Sequence, residues 1–397
     1  MAKKIIIGLT GRFGAGCSST LEVLKETFDY IPFSLSDYIK NIAKKDDSFK
    51  FLGDKNTREK LQALGDILRD DNNDQAFLAN IILKKLKNTG SKNIIIDGFK
   101  NPAEVNAFRK EYPDFFLFAI DAETKERWRR TKHIYNEDKK LFNEDDERDR
   151  GTNKYPYKGQ QVKACMNIAD ILINSDKPFF NDNEDKNEKA IEEYGQKITS
   201  YLELIEKPGS ISPNLDELYM HLAVSMSLRS NCLKRQVGAV IIKSRNYIIS
   251  AGNNDVPKGE IDCKEYNNEK CYRDSELEKF FKSIKKLSNC NDIKNKISIP
   301  GKLLDLCRAV HAEEEAILQA AKLGVSINET TLYTSTEPCL LCCKKIINSG
   351  IKEIVYLESY PIPLALEMLE NCGIVRRKFE GVTSRVYNKL FSREILI

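Results

Sequence analysis

The sequence predicts an α/β protein built from two domains. Short β-branched runs alternate with amphipathic stretches through the first half, which is the α/β pattern. The 397 residues are enough for two cores. The stretch "EKPGSISPN" (206–214) then sets two prolines around glycine and serine between two amphipathic helices. We place the boundary there, giving domains 1–207 and 208–397.

The elements follow in order. "KKIIIGLT" reads as a buried strand running into "GRFGAGCSST", with "STLEVLKETF" as the helix behind it. "NIIIDGF" is a second buried strand ending in Asp97, and "FFLFAIDA" a third, followed by the arginine-rich "KERWRR". "ADILINS" is a fourth. Between the last two, "NEDDERDRGTNKYPYKGQQ" reads as a charged mobile segment. "SDKPFFNDNEDKNE" reads as a solvated loop, and "EKAIEEYGQKITSYLELI" as the long helix leading to the boundary. The second half opens with the amphipathic helix "LDELYMHLAVSMSLR", then the strand pair "VGAVIIKS" and "YIISAGNN". Residues 264–304 are rich in lysine and asparagine and read as an insertion. A helix carrying "HAEEEAIL", the strand "TLYTST", a helix from "PCLLC" and the strand "EIVYLE" complete the order. There is no internal repeat.

Composition excludes several classes. With 41% apolar and 31% charged residues the chain is globular. A net charge of +4 does not by itself argue for nucleic-acid binding. No apolar run reaches the ~18 residues of a membrane span, and "KKIIIGL" is followed by polar residues without a cleavage-like segment. We expect a cytoplasmic, membrane-free protein. Eleven cysteines there point to thiols or metal ligands. Most of them lie after residue 230, so we expect the metal in the second half. With only three histidines, any zinc site must be cysteine-rich.

His311 and Glu313, with Pro338-Cys339 and Cys342, form H-x-E…P-C-x-x-C, a signature of zinc nucleobase deaminases. Three protein ligands, His311, Cys339 and Cys342, leave the fourth tetrahedral position of zinc for water. The metal makes hydroxide available at neutral pH, and a helix N-terminus stabilises thiolates. Glu313 is the acid–base group that moves protons between water, ring and leaving amine. The competing readings are a chance match and a structural zinc, for which Glu313 is a poor fourth ligand. Cys343 points off the ligand face and reads as packing.

On these residues the second half resembles the deoxycytidylate deaminases. "RSNCLKRQVGAVII", "IISAGNNDVPKG", "CRAVHAEEEAIL", "LYTSTEPCLLCCKKIINSGIKEIVYLESY" and "CGI" carry the likeness. The resemblance implies a cytidine-deaminase-like five-stranded α/β/α sandwich that hydrolyses a deoxycytidine nucleotide, dCTP or dCMP, to its deoxyuridine counterpart. It implies Asn254 at the sugar hydroxyl and Ala312 and Tyr360 at the substrate. Asn253 and Asp255 depart from the family pattern around Asn254. Phage-type members hold a second zinc, two of whose cysteines match Cys232 and Cys263. Its histidine and glutamate are absent, and Cys271 and Cys307 are the candidates to complete a Cys₄ site. Buried thiols are the other reading.

The first half resembles P-loop nucleotide kinases through "GLTGRFGAGCSST", "FSLSDYIK", "TREKLQALGDILR", "IIIDGFKNPAEV" and "ERWRR", which implies a parallel sheet. The fusion resembles the bacterial anti-phage dCTP deaminases. That likeness implies depletion of deoxycytidine nucleotides during infection, a homo-oligomer and, in some members, an inhibitory RNA. Gly11, Gly14 and Gly16 keep a phosphate cradle, Ser18 keeps a hydroxyl for Mg²⁺, and Asp97 lies nearby. Cys17 stands where the phosphate-binding lysine belongs. Without that charge phosphoryl transfer loses its electrostatic stabilisation. Arg127, Arg129 and Arg130 are the candidates to compensate, and a natural place for a phosphate-bearing effector. A nucleotide-binding regulatory domain is the reading here, with a structural relic as the alternative.

Three further functions compete. An RNA- or DNA-editing cytidine or adenosine deaminase would use 264–304 as its surface, but that stretch has few aromatics for base stacking. A bifunctional kinase–deaminase needs the missing charge. A non-catalytic sensor has no use for Glu313.

Overall fold

The computed structural model describes residues 4–45, 57–87, 90, 93–150, 160–176, 188–244, 246–267, 270–287, 306–360 and 362–392. The chain divides into two compact units, Met1–Ser212 with Glu380–Ile397, and Pro213–Phe379. A single boundary at 207/208 keeps the C-terminal segment in the second domain. The structure instead returns it to the first unit, where its apolar residues find a core.

In the first unit, β1 (Ile6–Gly11), β2 (Ile31–Ser34), β3 (Ile94–Asp97), β4 (Phe115–Asp121) and β5 (Ile171–Asn174) run parallel in the order β5-β4-β1-β3-β2. Their near-continuous apolar runs are what a sheet covered on both faces requires. Side chains alternate across β1. Ile5, Ile7 and Leu9 enter one core with Leu24, Ile198, Leu202 and Ile205 from the helices Cys17–Phe28 and Glu188–Glu206. A Cβ at Gly8 would collide with Phe99 and Phe115 on the other face, where Phe99, Phe108 and Phe115 pack edge-on and tilted.

The short strand β11 (Gly381–Val382) pairs antiparallel with β5. It adds Val382, Val386 and Leu390 to the first core. The charged stretch expected to be mobile forms a helix at Lys139–Arg150; its remainder at 151–159, and 177–187 of the expected solvated loop, lie outside the described residues.

The second unit is a five-stranded mixed sheet of β6 (Gly238–Lys243), β7 (Tyr247–Asn253), β8 (Thr331–Thr336), β9 (Glu353–Glu358) and β10 (Val375–Lys378), in the order β10-β9-β8-β6-β7. Two glycines show how it is layered. Gly252 pairs with Ala239 on β6, so both face one side, and a Cβ on Gly252 would lie 2.4 Å from the Ala312 carbonyl of the helix Ala312–Lys322. Gly238, next along β6, faces the other side, where its Cβ would collide with the Ala223 carbonyl of the helix Leu215–Ser227. Helices therefore cover both faces, and the first of them carries His311 at its start. Within the expected insertion the helices Cys263–Asn267 and Tyr272–Leu287 are described; its part at 288–304 lies outside the described residues.

Candidate active site and the glycine loop

His311 and Cys339 are each the N-terminal cap of a helix, Ala312–Lys322 and Leu340–Asn348, with extended backbone at both positions. The Asp255–Val310 bridge holds the approach to His311, with the Val310 N–H donating to the Asp255 carbonyl at 2.9 Å. His311 Nδ1 lies 3.2 Å from Cys342 Sγ and 3.4 Å from Cys339 Sγ. The C-x-x-C spacing places both sulfurs on the first helical turn, facing the imidazole.

Among the described residues, this is the only group of three or more histidines, cysteines or carboxylates with ligand atoms all within 4.8 Å of one another. The donor set suits zinc. One nitrogen and two sulfurs, largely buried, leave a tetrahedral position open. The Cys339 thiol is drawn down to about 4 by the hydrogen bond from Cys342, with His311 adding to it. The hydrogen bond with Cys339 holds the His311 imidazole above its ordinary value.

Glu313 is buried in the first turn of the helix, 4% exposed. Burial pushes its carboxyl up to about 7, a value suited to accepting and donating protons near neutrality. Ala312 is fully buried in the core beneath the site. Cys343 packs in that core, as its helical phase requires, and burial pushes its thiol up to about 12.

Asn254 braces its own loop. Its Oδ1 accepts from the Val237 N–H at 2.6 Å and its Nδ2 donates to the Arg235 carbonyl at 2.8 Å. Tyr360 is half-buried, with its ring 5.6 Å from the Arg235 guanidinium. The structure adds a residue the sequence reading passed over. Glu337, directly before Pro338-Cys339, has a side chain only 1% exposed and paired with Arg376 at 2.7 Å. A lone glutamate after a strand looks like a surface charge; the surviving signal was its place against the proline of the metal motif.

Cys232, Cys263, Cys271 and Cys307 line one small pocket of about 20 Å³, together with Arg273 and Arg308. Burial raises the Cys307 thiol, and Cys232 and Cys271 add to that rise. These four sulfurs converge without reaching the close spacing of the His311 group.

In the first unit the glycine loop follows β1 and leads into the helix Cys17–Phe28. Gly14 and Gly16 have φ of 79° and 106°, open only to glycine at low cost. A Cβ on Gly11 would lie 2.5 Å from the Ile120 carbonyl and 2.8 Å from Cys17 Sγ, so the thiol is folded back against the loop. Cys17 packs against the core, and burial, with Asp97 beside it, pushes its pKa up. Ser18 is exposed, and Asp97 ends β3 opposite Leu9, its pKa raised by burial.

The arginines are engaged elsewhere. Arg127 is fully buried and bonded through both terminal nitrogens to Asp146, at 2.6 and 3.1 Å. Arg129 pairs with Glu126. Arg130 grips the loop from behind, donating to the Gly14 carbonyl at 3.2 Å and to the Ser175 carbonyl. Arg127 and Arg130 thus bond to main-chain carbonyls of the loop, at Phe13 and Gly14, while Arg129 bonds to Glu126.

Residues 213–358 match the cytidine and deoxycytidylate deaminase zinc-binding region. The chain is similar to a deoxycytidylate deaminase of Schizosaccharomyces pombe, 30% identical over 290 residues, which are 72% of this chain and 77% of that protein. That span exceeds the second unit, so the likeness includes part of the first. The deoxycytidylate deaminase of Saccharomyces cerevisiae is 34% identical over 168 residues, 42% of this chain and 45% of the other. That of phage T4 is 31% identical over 175 residues, 39% of this chain and 84% of the other. Among solved structures, dCMP deaminase from the cyanophage S-TIM5 in complex with dCMP and dUMP is 25% identical, covering 43% of this chain and 99% of that one at a TM-score of 0.31. With a buried His–Cys–Cys group beside a carboxyl held near neutrality, and a relative covered over most of its length, the chain belongs to the deoxycytidylate deaminase family, enzymes that hydrolytically deaminate deoxycytidine nucleotides.

Proposed function

We propose that this enzyme deaminates free deoxycytidine nucleotides, dCTP or dCMP, and that its first unit binds a phosphate-bearing effector without transferring phosphate. The observation that carries the first part is the His311–Cys339–Cys342 group with Glu313 buried beside it. These three residues would hold zinc, which when bound supplies Lewis acidity and makes hydroxide available at neutral pH. Glu313 takes a proton from the attacking water and delivers it to ring N3, then takes the second proton from the added hydroxyl and gives it to the amine, which leaves as ammonia. Asn254 retains one amide hydrogen and one oxygen lone pair beyond its bonds to Arg235 and Val237, enough to hold a sugar hydroxyl. Ala312 closes the floor and Tyr360 stands at the base and phosphate.

Purified protein incubated with dCMP, dCTP and CTP is expected to release ammonia from the deoxynucleotides in preference to CTP. Release only from polynucleotide substrates would overturn this reading in favour of an editing enzyme.

The carrying observation for the first unit is Cys17, whose thiol lies against the core and brings no positive charge to the glycine loop. The backbone cradle and the Ser18 hydroxyl remain for a nucleotide with Mg²⁺, or for an RNA backbone. The P-loop-kinase likeness, and the likeness of the whole arrangement to anti-phage dCTP deaminases, support a cytoplasmic, homo-oligomeric defence effector. It would drain deoxycytidine nucleotides during infection and be restrained by RNA. Cells expressing the parent chain are expected to lose dCTP after phage infection, and cells expressing Glu313→Ala to keep it; equal pools in the two would reject the defence role. We also place a second, structural zinc among Cys232, Cys263, Cys271 and Cys307, supported by their sharing one pocket.

A further inference from the structure

Glu337 stands between β8 and the Pro338-Cys339 turn, and almost none of its side chain reaches solvent. A carboxylate so placed must have its lone pairs met. Its Oε1 accepts from Arg376 Nη1 at 2.7 Å. Its Oε2 accepts from the main-chain N–H of Tyr360 at 2.7 Å and from Ser359 Oγ at 3.0 Å. Its own main-chain N–H donates to the Glu358 carbonyl at 2.8 Å. Arg376 is fixed in turn, donating to the Tyr356 hydroxyl at 2.7 Å with its guanidinium 5.4 Å from that ring's centre.

Three segments meet on this one carboxylate: the turn that presents Cys339, the loop after β9 that presents Tyr360, and β10. We propose that Glu337 is a positioning residue that sets the Tyr360 loop against the metal turn and so governs how tightly the deoxycytidine nucleotide is held.

The residue type fits the task. Every partner of the Glu337 side chain is a donor, and a carboxylate is the side chain that only accepts. Glutamine in the same place would aim an N–H₂ at Arg376 or at the Tyr360 N–H, leaving a buried donor unmet. Aspartate is one methylene short of spanning the three segments. The effect should fall on binding, because Cys339 and Cys342 are also held by their own helix and by His311.

The inference rests on Tyr360 touching the substrate, and the test separates the two. Glu337→Gln is expected to raise KM for the nucleotide on the order of tenfold or more, with kcat within a few-fold of the parent. Its zinc content and the visible spectrum of its Co²⁺-substituted form should match the parent. Ser359→Ala, which removes one of the three bonds, should raise KM less, and covers the case in which Glu337→Gln fails to fold.

Tyr360→Ala should raise KM by itself, and its combination with Glu337→Gln should add little. A Tyr360→Ala variant with the parent's KM would remove the reading on which the inference stands. A raised KM there, with Glu337→Gln and Ser359→Ala both at the parent's KM, would overturn the inference alone. Loss of zinc or a changed Co²⁺ spectrum in Glu337→Gln, or a fall in kcat at constant KM, would overturn it by moving the residue to the metal.

Discussion

Cys17 opens the helix Cys17–Phe28 behind the glycine loop, and Cys339 caps the helix Leu340–Asn348. Both thiols stand where a helix dipole favours negative charge, an effect of about 0.3–1 kcal/mol. Their chemistry nevertheless runs in opposite directions. Cys339 is held near 4 because Cys342 donates a hydrogen bond to its sulfur and His311 stands 3.4 Å away. Cys17 is pushed above the ordinary thiol value because its sulfur is buried against the core with Asp97 nearby. The helix end is common to the two. Partners and burial decide, and they fit one sulfur to hold a metal and the other to pack.

Replacing each thiol tests that contrast most severely. Cys339→Ala is expected to lose both zinc and deamination, whereas Cys17→Ala keeps both. Metal analysis and ammonia release read the outcome, and a Cys17 variant that lost zinc would end the contrast. Next comes Glu313→Ala, expected to cost at least the 10²–10⁴-fold typical of a general acid–base group while zinc stays bound. Zinc lost together with activity would make Glu313 a ligand. The parent incubated with ATP and dCMP is expected to show no phosphoryl transfer, since nothing at position 17 offers a charge to the phosphates. A phosphorylated product would replace the regulatory reading with a bifunctional enzyme.

A milder test concerns the four cysteines of the second pocket. Two zinc ions per chain are expected, and Cys263→Ser should bring the count to one. That variant should lower the thermal midpoint, because a metal that binds only the folded chain stabilises it. One zinc in the parent, with Cys263→Ser as stable as the parent, would leave these residues as buried thiols.

Sequence patterns disclosed what is local. β1, the glycine loop and its helix form one contiguous run, and so does the strand leading to Pro338-Cys339. What stayed hidden depends on partners far away in the chain. β2 is four residues with Pro32 among them, tolerable because it lies at the sheet edge. β11 has two residues, and only its pairing with β5 makes it a strand. Glu337 gives no sign of burial until Arg376, 39 positions on, is placed beside it. For Cys17 the sequence announced the lost lysine and said nothing of where the sulfur turns.

The smallest effect expected is the one that would connect the two units. Glu380 follows Phe379, the last residue of the catalytic unit, and lies in the first unit. Its carboxylate accepts from the Asn174 N–H at 3.1 Å and pairs with Lys197 at 2.6 Å, while Lys197 also donates to the Asn174 carbonyl at 3.2 Å. The next residue, Ser175, donates to the Ala15 carbonyl of the glycine loop, and its own carbonyl accepts from Arg130. A hydrogen-bonded relay thus runs from the glycine loop to the residue at which the chain leaves the catalytic unit. Were the proposed effector to reshape the loop, this network would be its path toward that exit, and substitutions along such networks change coupling by roughly 0.5–2 kcal/mol. The Lys197–Glu380 pair is about a third exposed, so its own share of stability is small, at most about 1 kcal/mol. Glu380→Gln keeps an acceptor for Asn174 and removes the charge. Basal kcat and thermal midpoint should stay near the parent's, while the nucleotide concentration at half-maximal response shifts a few-fold. Ser175→Ala should shift it in the same direction, and the double variant by less than the two shifts combined. Response curves for ATP, dCTP and dTTP that superimpose on the parent's in all three variants would show that this relay does not join the loop to the chemistry.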